Sequence, residues 1–258
     1  MTRIFSLSNQ KGGVGKTTTT VNVATALAAL RKKVLIIDLD PQGNATVSLG
    51  VQRRQGGQNS YTVLTGRYKA SESIVQTNIP FLYVLPASQE LLGVDLELAG
   101  VERPQFFLKK ALADLTDFDY IFIDCPPAVG LLTLNALVAS TSVIIPVQCE
   151  YLALEGVADL MKTIEKVKRN FNPSLKIDGI VMTMFDGRSR LSRSVDNDVR
   201  SFFKDLVYDT VIPRNVRIPE APSHGKPVML YDFRSTGAQS YIRLAGEILT
   251  REKGENHG

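Results

Sequence analysis

The sequence predicts an α/β protein with a doubly wound, mostly parallel sheet and helices on both faces. Three observations carry that reading. A glycine-rich turn, Gly12-Gly13-Val14-Gly15, links a short apolar run to a helical pattern. Two further apolar runs, Val34-Leu35-Ile36-Ile37 and Ile121-Phe122-Ile123, each close on an aspartate. Between such runs the hydrophobic period switches to that of a helix, and alternating strands and helices are what parallel sheets are built from.

The first strand is Ile4-Phe5-Ser6-Leu7, followed by the loop Gln10-Lys11-Gly12-Gly13-Val14-Gly15-Lys16-Thr17-Thr18. Glycines let the backbone N–H groups turn inward as a cradle for phosphate, Lys16 supplies an ammonium for the β and γ phosphates, and Thr17 supplies a hydroxyl for Mg²⁺. Strand, glycine-rich loop and helix in that order make a P-loop, so the chain is read as binding a nucleoside triphosphate with Mg²⁺. The usual pattern places a glycine where this chain has Gln10, and it has no counterpart of the second lysine, Lys11. A solvated lysine at a loop edge is the plain alternative for Lys11.

A helix is expected from Thr17 to Leu30, closing on Arg31-Lys32-Lys33, where cations suit a C-terminus. The strand Val34–Ile37 reads as buried on both faces and delivers Asp38 and Asp40 to its C-terminal end, in the ligand crevice of such sheets. Two residues apart, Asp38 and Asp40 are expected on one face. Residues 51–78 read as a loop holding a short helix near Tyr61–Leu64, Phe81–Pro86 as a strand, and Leu91–Ala99 and Gln105–Leu115 as helices. Asp119–Asp124, stopped by Pro126-Pro127, reads as a Walker B strand whose Asp124 holds the metal through water. A helix at Leu131–Ala139, a strand at Ser142–Val147, a long amphipathic helix at Leu154–Asn170 and a strand at Ile177–Phe185 follow. The last third offers an arginine-rich helix near Ser189–Leu206, a strand at Val211-Ile212, and a final helix from Thr236 with Gln239 as a capping-box partner. Residues 251–258 are expected to fray.

The chain of 258 residues is 44% hydrophobic and carries a net charge of +4, which fits one globular domain over residues 1–258 and permits contact with nucleic acid without demanding it. No apolar run approaches the ~20 residues of a membrane span, and the N-terminus enters a strand without a signal-peptide pattern, so a cytoplasmic protein is expected. Cys125 and Cys149, at the ends of apolar runs, are read as buried thiols rather than as ligands of an inter-subunit iron–sulfur cluster.

Lys11-Gly12-Gly13-Val14-Gly15-Lys16-Thr17-Thr18 resembles the deviant Walker A motif of the ParA/MinD group of ATPases, and the Asn9-Gln10 opening is most similar to Soj-type ParA partitioning ATPases. The resemblance implies a weak ATPase, stimulated by a ParB-type centromere-binding protein, that segregates a chromosome or plasmid. Lys11 would reach the partner subunit's nucleotide in an ATP-dependent homodimer and join Lys16 and Asp40 in catalysis, Asp40 orienting the attacking water. Pro213 and Asn215 would hold adenine, and an Asn amide carries the donor and acceptor that an adenine edge needs. Arg188 and Arg217 would grip phosphates of non-specific double-stranded DNA, placing the protein on the nucleoid in its ATP state; no segment ahead of the P-loop strand suggests sequence-specific repression.

Plain alternatives stay open beside these assignments: loop caps for the aspartates, a simple turn for Pro213–Asn215, and a solvated helix face for the arginines, which are interspersed with Asp186, Asp196 and Asp198. A membrane-positioning ATPase like MinD is the alternative function. It would need a lipid-binding C-terminal helix, and the residues after Leu249 mix acids with bases and offer no bulky apolar face, so no membrane partner is expected.

Overall fold

The computed structural model describes residues 2–255. Among them lies one seven-stranded sheet, in the order β3-β4-β2-β5-β1-β6-β7, with β1 at Arg3–Leu7, β2 at Val34–Asp38, β3 at Val75–Gln76, β4 at Leu82–Leu85, β5 at Tyr120–Asp124, β6 at Ser142–Gln148 and β7 at Lys176–Thr183. All pairings are parallel except that of the two-residue edge strand β3 with β4. The fold is the expected doubly wound α/β sheet of P-loop NTPases.

Burial on both faces explains why the central strands read as continuous apolar runs. Val34 and Ile36 of β2 turn to one face, where they pack with Phe5, Leu7 and Phe122 beneath helix α1 (Lys16–Ala29). Leu35 and Ile37 turn to the other face with Ile121 and Ile123, under short helices that include Ser60–Leu64 and Phe107–Ala111 and under α2 (Leu131–Ala139). Beyond β1, Val143 and Ile145 of β6 and Ile180 and Met182 of β7 pack under α3 (Ala153–Asn170) and α4 (Arg190–Phe203).

The parallel register aligns the strand ends that matter. Asp124 of β5 stands level with Leu7 on one side and with Asp38 on the other, so the P-loop and both carboxylates leave the sheet at one edge.

Several elements differ from expectation. The segment 91–115 forms only short pieces, with α-helical turns at Val94–Glu97 and Phe107–Ala111 preceded by 3₁₀ turns. Val211-Ile212 is not a strand: Ile212 N–H donates to Met182 O, but Pro213 has no N–H with which to extend a ladder, and the pairing ends in an isolated bridge from Phe185 to Pro213. The final helix, α5 (Thr236–Glu255), is capped by Ser235, whose Oγ accepts from Ala238 N–H at 3.2 Å, while Gln239 donates to Phe233 O.

The expected frayed tail is corrected for Arg251 and Glu252, and the helix itself runs on to Glu255. Arg251 donates to Val207 O at 2.9 Å and to Asp178 O at 3.2 Å, and Glu252 accepts from the Tyr120 hydroxyl at 2.7 Å. Those long-range bonds hold the last turns of α5 against the sheet. Residues 256–258 lie outside the described residues.

Candidate active site

The loop from Ser8 to Gly15 turns twice through the left-handed region, at Gly13 (φ 77°) and Gly15 (φ 90°), conformations that a side chain would strain. Gln10, at the position where the general pattern has glycine, is not among the positive-φ residues and its side chain faces solvent, so the departure costs the loop nothing. Asn9 staples the loop to β6: its Nδ2 donates to Pro146 O at 2.7 Å and its Oδ1 accepts from Lys11 N–H at 3.0 Å. On the far side Thr183, the last residue of β7, donates to Val14 O at 2.8 Å. Helix α1 begins at Lys16 with no side-chain cap and no acid in its first turn, which leaves its free N–H groups and positive dipole end to an anion.

Lys16 is buried, and its Nζ folds back onto the carbonyls of Asn9 at 3.0 Å and Lys11 at 3.1 Å. Burial lowers its pKa, opposed chiefly by the nearby Asp124. Thr17 donates to Asp124 Oδ2 at 2.7 Å, and Thr20, one turn on, donates to Asp124 Oδ1 at 3.2 Å. Burial, then repulsion from Asp38, pushes the Asp124 carboxyl well above the usual range. A divalent cation beside Thr17 and Asp124 would remove that repulsion, and the hard oxygen donors fit Mg²⁺.

Asp38 and Asp40 part company, contrary to the shared face expected from their spacing. The strand ends at Asp38, so the two-residue period stops there. Asp38 is fully buried and its Oδ2 accepts from Thr46 N–H at 2.8 Å and Thr46 Oγ1 at 2.6 Å, tying down the helix Asn44–Ser48. Asp40 instead lines a cavity of about 600 Å³ over the P-loop with Gly12, Lys16, Thr17 and Pro127, its Oδ1 accepting from Gln42 N–H at 2.9 Å.

A second cavity, of about 610 Å³, opens on the other side of Gly15 and Thr18 and is lined by Pro213 and Asn215 together with Met184, Ile218 and Tyr241. The Asn215 amide already works within the loop: Oδ1 accepts from Arg217 N–H at 2.9 Å and Nδ2 donates to Thr236 Oγ1 at 2.8 Å. One amide hydrogen and one lone pair remain for a ligand.

The family model of the AAA domain matches residues 2–177. The chain is 49% identical over 254 residues to the chromosome partitioning protein ParA of Caulobacter vibrioides, across 97% of this chain and 95% of that one. It is 49% identical over 249 residues to the sporulation initiation inhibitor protein Soj of Bacillus subtilis, across 96% and 98% of the two chains. The chain belongs to the ParA/Soj family of chromosome-partitioning ATPases. Among solved structures it is similar, with a TM-score of 0.86 and 38% identity over 98% of this chain and 96% of that one, to a Mycobacterium smegmatis protein described as cobyrinic acid a,c-diamide synthase with bound ADP and magnesium.

In this ParA/Soj-family chain the remaining expected residues stand at the rim. Lys11 is exposed, and its Nζ pairs with Glu150 Oε2 at 2.5 Å. Arg188 is almost fully exposed and lies against Asp186; Arg217 is half-exposed between Glu220 at 2.9 Å and Asp232 at 3.4 Å. Both expected DNA contacts are therefore partly neutralised by neighbouring carboxylates. Sequence reasoning missed Asn9, Thr20, Thr183 and Glu150 as supports of the site. Each acts across a long sequence separation or from an unremarkable residue type, and only Thr20, one helical turn after Lys16, could have been found from spacing.

Among the described residues no helix is long and apolar enough to cross a membrane, and no group of three or more His, Cys, Asp or Glu side chains gathers as a metal cluster. Cys125 and Cys149 are both buried free thiols.

Proposed function

We propose that the chain, as one ATPase domain over residues 1–258, is an ATP-dependent DNA-segregation switch: Mg²⁺–ATP pairs two copies, the pair binds DNA without reading its sequence, and hydrolysis releases it. The observation that carries this reading is the exposed second lysine, Lys11, on a P-loop where the buried Lys16 and the uncapped α1 N-terminus already offer groups for phosphate. A cation so placed is not needed for the phosphates of its own subunit, and once its contact with Glu150 breaks it can serve a second one.

The residues divide the chemistry among them. Gly12, Gly13, Val14, Gly15, Lys16, Thr17 and Thr18 cradle the phosphates, and Thr17 with Asp124, the latter through water, holds Mg²⁺, which shields the phosphoryl charge when bound. Asp40 lines the cavity where the γ-phosphate would emerge and holds the attacking water. Lys11 and Lys16 neutralise the charge that spreads over the transferring phosphoryl oxygens, the main demand of this reaction. Pro213 and Asn215 hold the base in the second cavity. Arg188 and Arg217 contribute the salt-sensitive phosphate contacts to DNA. A centromere-binding protein of the ParB type speeds the slow basal hydrolysis, and the protein is cytoplasmic, on the nucleoid while it holds ATP.

The deciding experiment measures molecular size with ADP, ATP and a slowly hydrolysed ATP analogue, with and without arbitrary duplex DNA. A dimer with ATP or the analogue alone, and DNA binding only in those states, is expected. A monomer in every nucleotide state would overturn the pairing, and binding to anionic liposomes without binding to DNA would favour a membrane-positioning role instead.

A further inference from the structure

The phosphate loop follows β1 and the Asp40 loop follows β2, two strands that do not touch, because β5 lies between them. From Asp40 the chain runs through successive backbone bonds: Gly43 N–H donates to Asp40 O at 2.8 Å, Val47 N–H to Gly43 O at 3.1 Å and Gly50 N–H to Val47 O at 3.0 Å. Helix Asn44–Ser48 and the turn after it thus form one continuous piece with Asp40. One side of that piece is tied to the sheet, through the bonds of Thr46 to Asp38 and through Ala87 N–H, which donates to Thr46 Oγ1 at 3.0 Å.

The other side meets the C-terminal third of the chain. Ala45 and Leu49 share a core with Ala221 and Val228, and the backbones of Gly50 and Gly225 approach closely. A Cβ on Gly225 would stand 3.0 Å from Gly50 Cα, and one on Gly50 would stand 3.1 Å from Gly225 O, so neither position has room for a side chain. Three residues on, Val228 N–H donates to Asn22 Oδ1 at 2.8 Å, and the same amide donates through Nδ2 to Thr18 O at 2.8 Å, at the end of the phosphate loop. Asn22 and Val228 are both buried. The segment 225–228 therefore rests on the Asp40 piece at one end and on α1 at the other.

We infer that the segment 225–228 is a brace that sets the distance between Asp40 and the phosphate cradle, with Gly50, Gly225 and Asn22 as positioning residues for ATP hydrolysis. The inference rests on the reading of Asp40 as the holder of the attacking water. None of the three lines either cavity, so the brace acts on the reaction rather than on nucleotide affinity. Phosphoryl transfer asks the protein mainly for geometry, and a misplacement of about 1 Å can cost on the order of a hundredfold in rate.

The experiment measures, on the full chain, kcat and KM for Mg²⁺–ATP, ADP affinity by calorimetry, and dimerisation with a slowly hydrolysed ATP analogue. Gly225→Ala and Gly50→Ala open the same contact from its two sides. Each is expected to lower kcat by about tenfold and to leave KM, ADP affinity and dimerisation within about twofold of wild type. Combined, they are expected to lose little more than either alone, because only one contact is opened. Gly66→Ala is the control: its φ of 73° matches the 72° of Gly50 and the 60° of Gly225, but among the described residues nothing lies within 4 Å of its Cβ, so wild-type kcat is expected. Asn22→Ala opens the far end of the brace without replacing a strained glycine and is expected to lower kcat in the same way, which keeps the test decisive if thermal midpoints show that a glycine variant does not fold. Wild-type kcat in Asn22→Ala and in the folded glycine variants, with Asp40→Ala inactive, would overturn the inference. So would an equal loss of kcat in Gly66→Ala, or a loss of ADP affinity large enough to account for the lost turnover. If Asp40→Ala itself turns over ATP at the wild-type rate, the reading of Asp40 fails, and the inference with it.

Discussion

Lys11 Nζ lies 2.5 Å from Glu150 Oε2, across the mouth of the P-loop, and Gln148 donates to the other oxygen of the same carboxylate. The signature lysine is thus held within its own subunit. If it serves a partner's nucleotide, pairing must first break this contact. Both side chains are about half-exposed, so the pair is worth little and acts as a light restraint. Glu150→Gln is expected to lower the ATP concentration needed for dimerisation by about two- to fivefold in analytical ultracentrifugation, and Lys11→Ala to abolish dimerisation. If Glu150→Gln instead needed more ATP, Glu150 would belong to the paired state rather than restrain the unpaired one.

Asp38 and Asp40, two residues apart, predict opposite phenotypes. Asp40 lines the cavity and accepts only the local Gln42 N–H, so Asp40→Ala is expected to keep the fold, ATP binding and dimerisation and to lose ATP turnover by about a hundredfold or more, as general-base and water-positioning groups contribute on that scale. Asp38→Ala strips three buried donors, Thr46 N–H, Thr46 Oγ1 and Asp40 N–H, of their acceptor and should destabilise the protein by about 2–4 kcal/mol in denaturant unfolding. Turnover in Asp40→Ala at the wild-type rate would remove its proposed role.

What the sequence made legible was local. Continuous apolar runs ending in Asp38 and Asp124, and glycines flanking Val14, fix strand ends and a phosphate loop because parallel strands buried on both faces need no distant information to be recognised. What it hid was long-range. Glu150 meets Lys11 across 139 positions, and Thr183 meets Val14 across 169, contacts that only the folded sheet creates. The edge strand Val75–Gln76 is too short and polar to carry a period. The segment 91–115 carries apolar residues at helical spacing, yet it folds into short turns that bury Leu91, Val94, Leu98 and Leu108 under the sheet, so packing rather than propensity set its form. The shared face expected for Asp38 and Asp40 fails because the alternation ends with the strand at Asp38, and Asp40 lies beyond it.

Arg188 and Arg217 were assigned to DNA by family resemblance, and the structure adds that each is countered by a carboxylate neighbour. A phosphate would have to compete with Asp186 for Arg188 and with Glu220 and Asp232 for Arg217. Arg188→Gln with Arg217→Gln is expected to weaken binding to any duplex roughly uniformly and to reduce the steepness of its salt dependence by about two counterions per subunit. The measurement is fluorescence anisotropy with duplexes of unrelated sequence over a salt series, with ATP-dependent dimerisation recorded alongside to separate a lost footprint from a lost dimer. An unchanged salt slope would place the footprint elsewhere.

The end of α5 is a structural clamp rather than a loose tail. Arg251 stacks over the Tyr208 ring at 4.2 Å and donates to the carbonyls of Val207 and Asp178, while Glu252 joins Arg3 at 3.1 Å and the Tyr120 hydroxyl at 2.7 Å. Tyr208 in turn donates to the Asp178 carboxylate. Helix α5 packs against α1, which follows the P-loop, so the clamp steadies the helix on which the phosphate loop ends. Arg251→Ala removes a charged donor from two backbone carbonyls and a cation from a buried ring, and should cost about 2 kcal/mol, or roughly 4–8 °C in thermal midpoint for a chain of this size. Arg251→Lys, which keeps the charge but not the planar fork, should recover only part of that loss. An unchanged thermal midpoint in Arg251→Ala would return the last turns of α5 to the status of a frayed end.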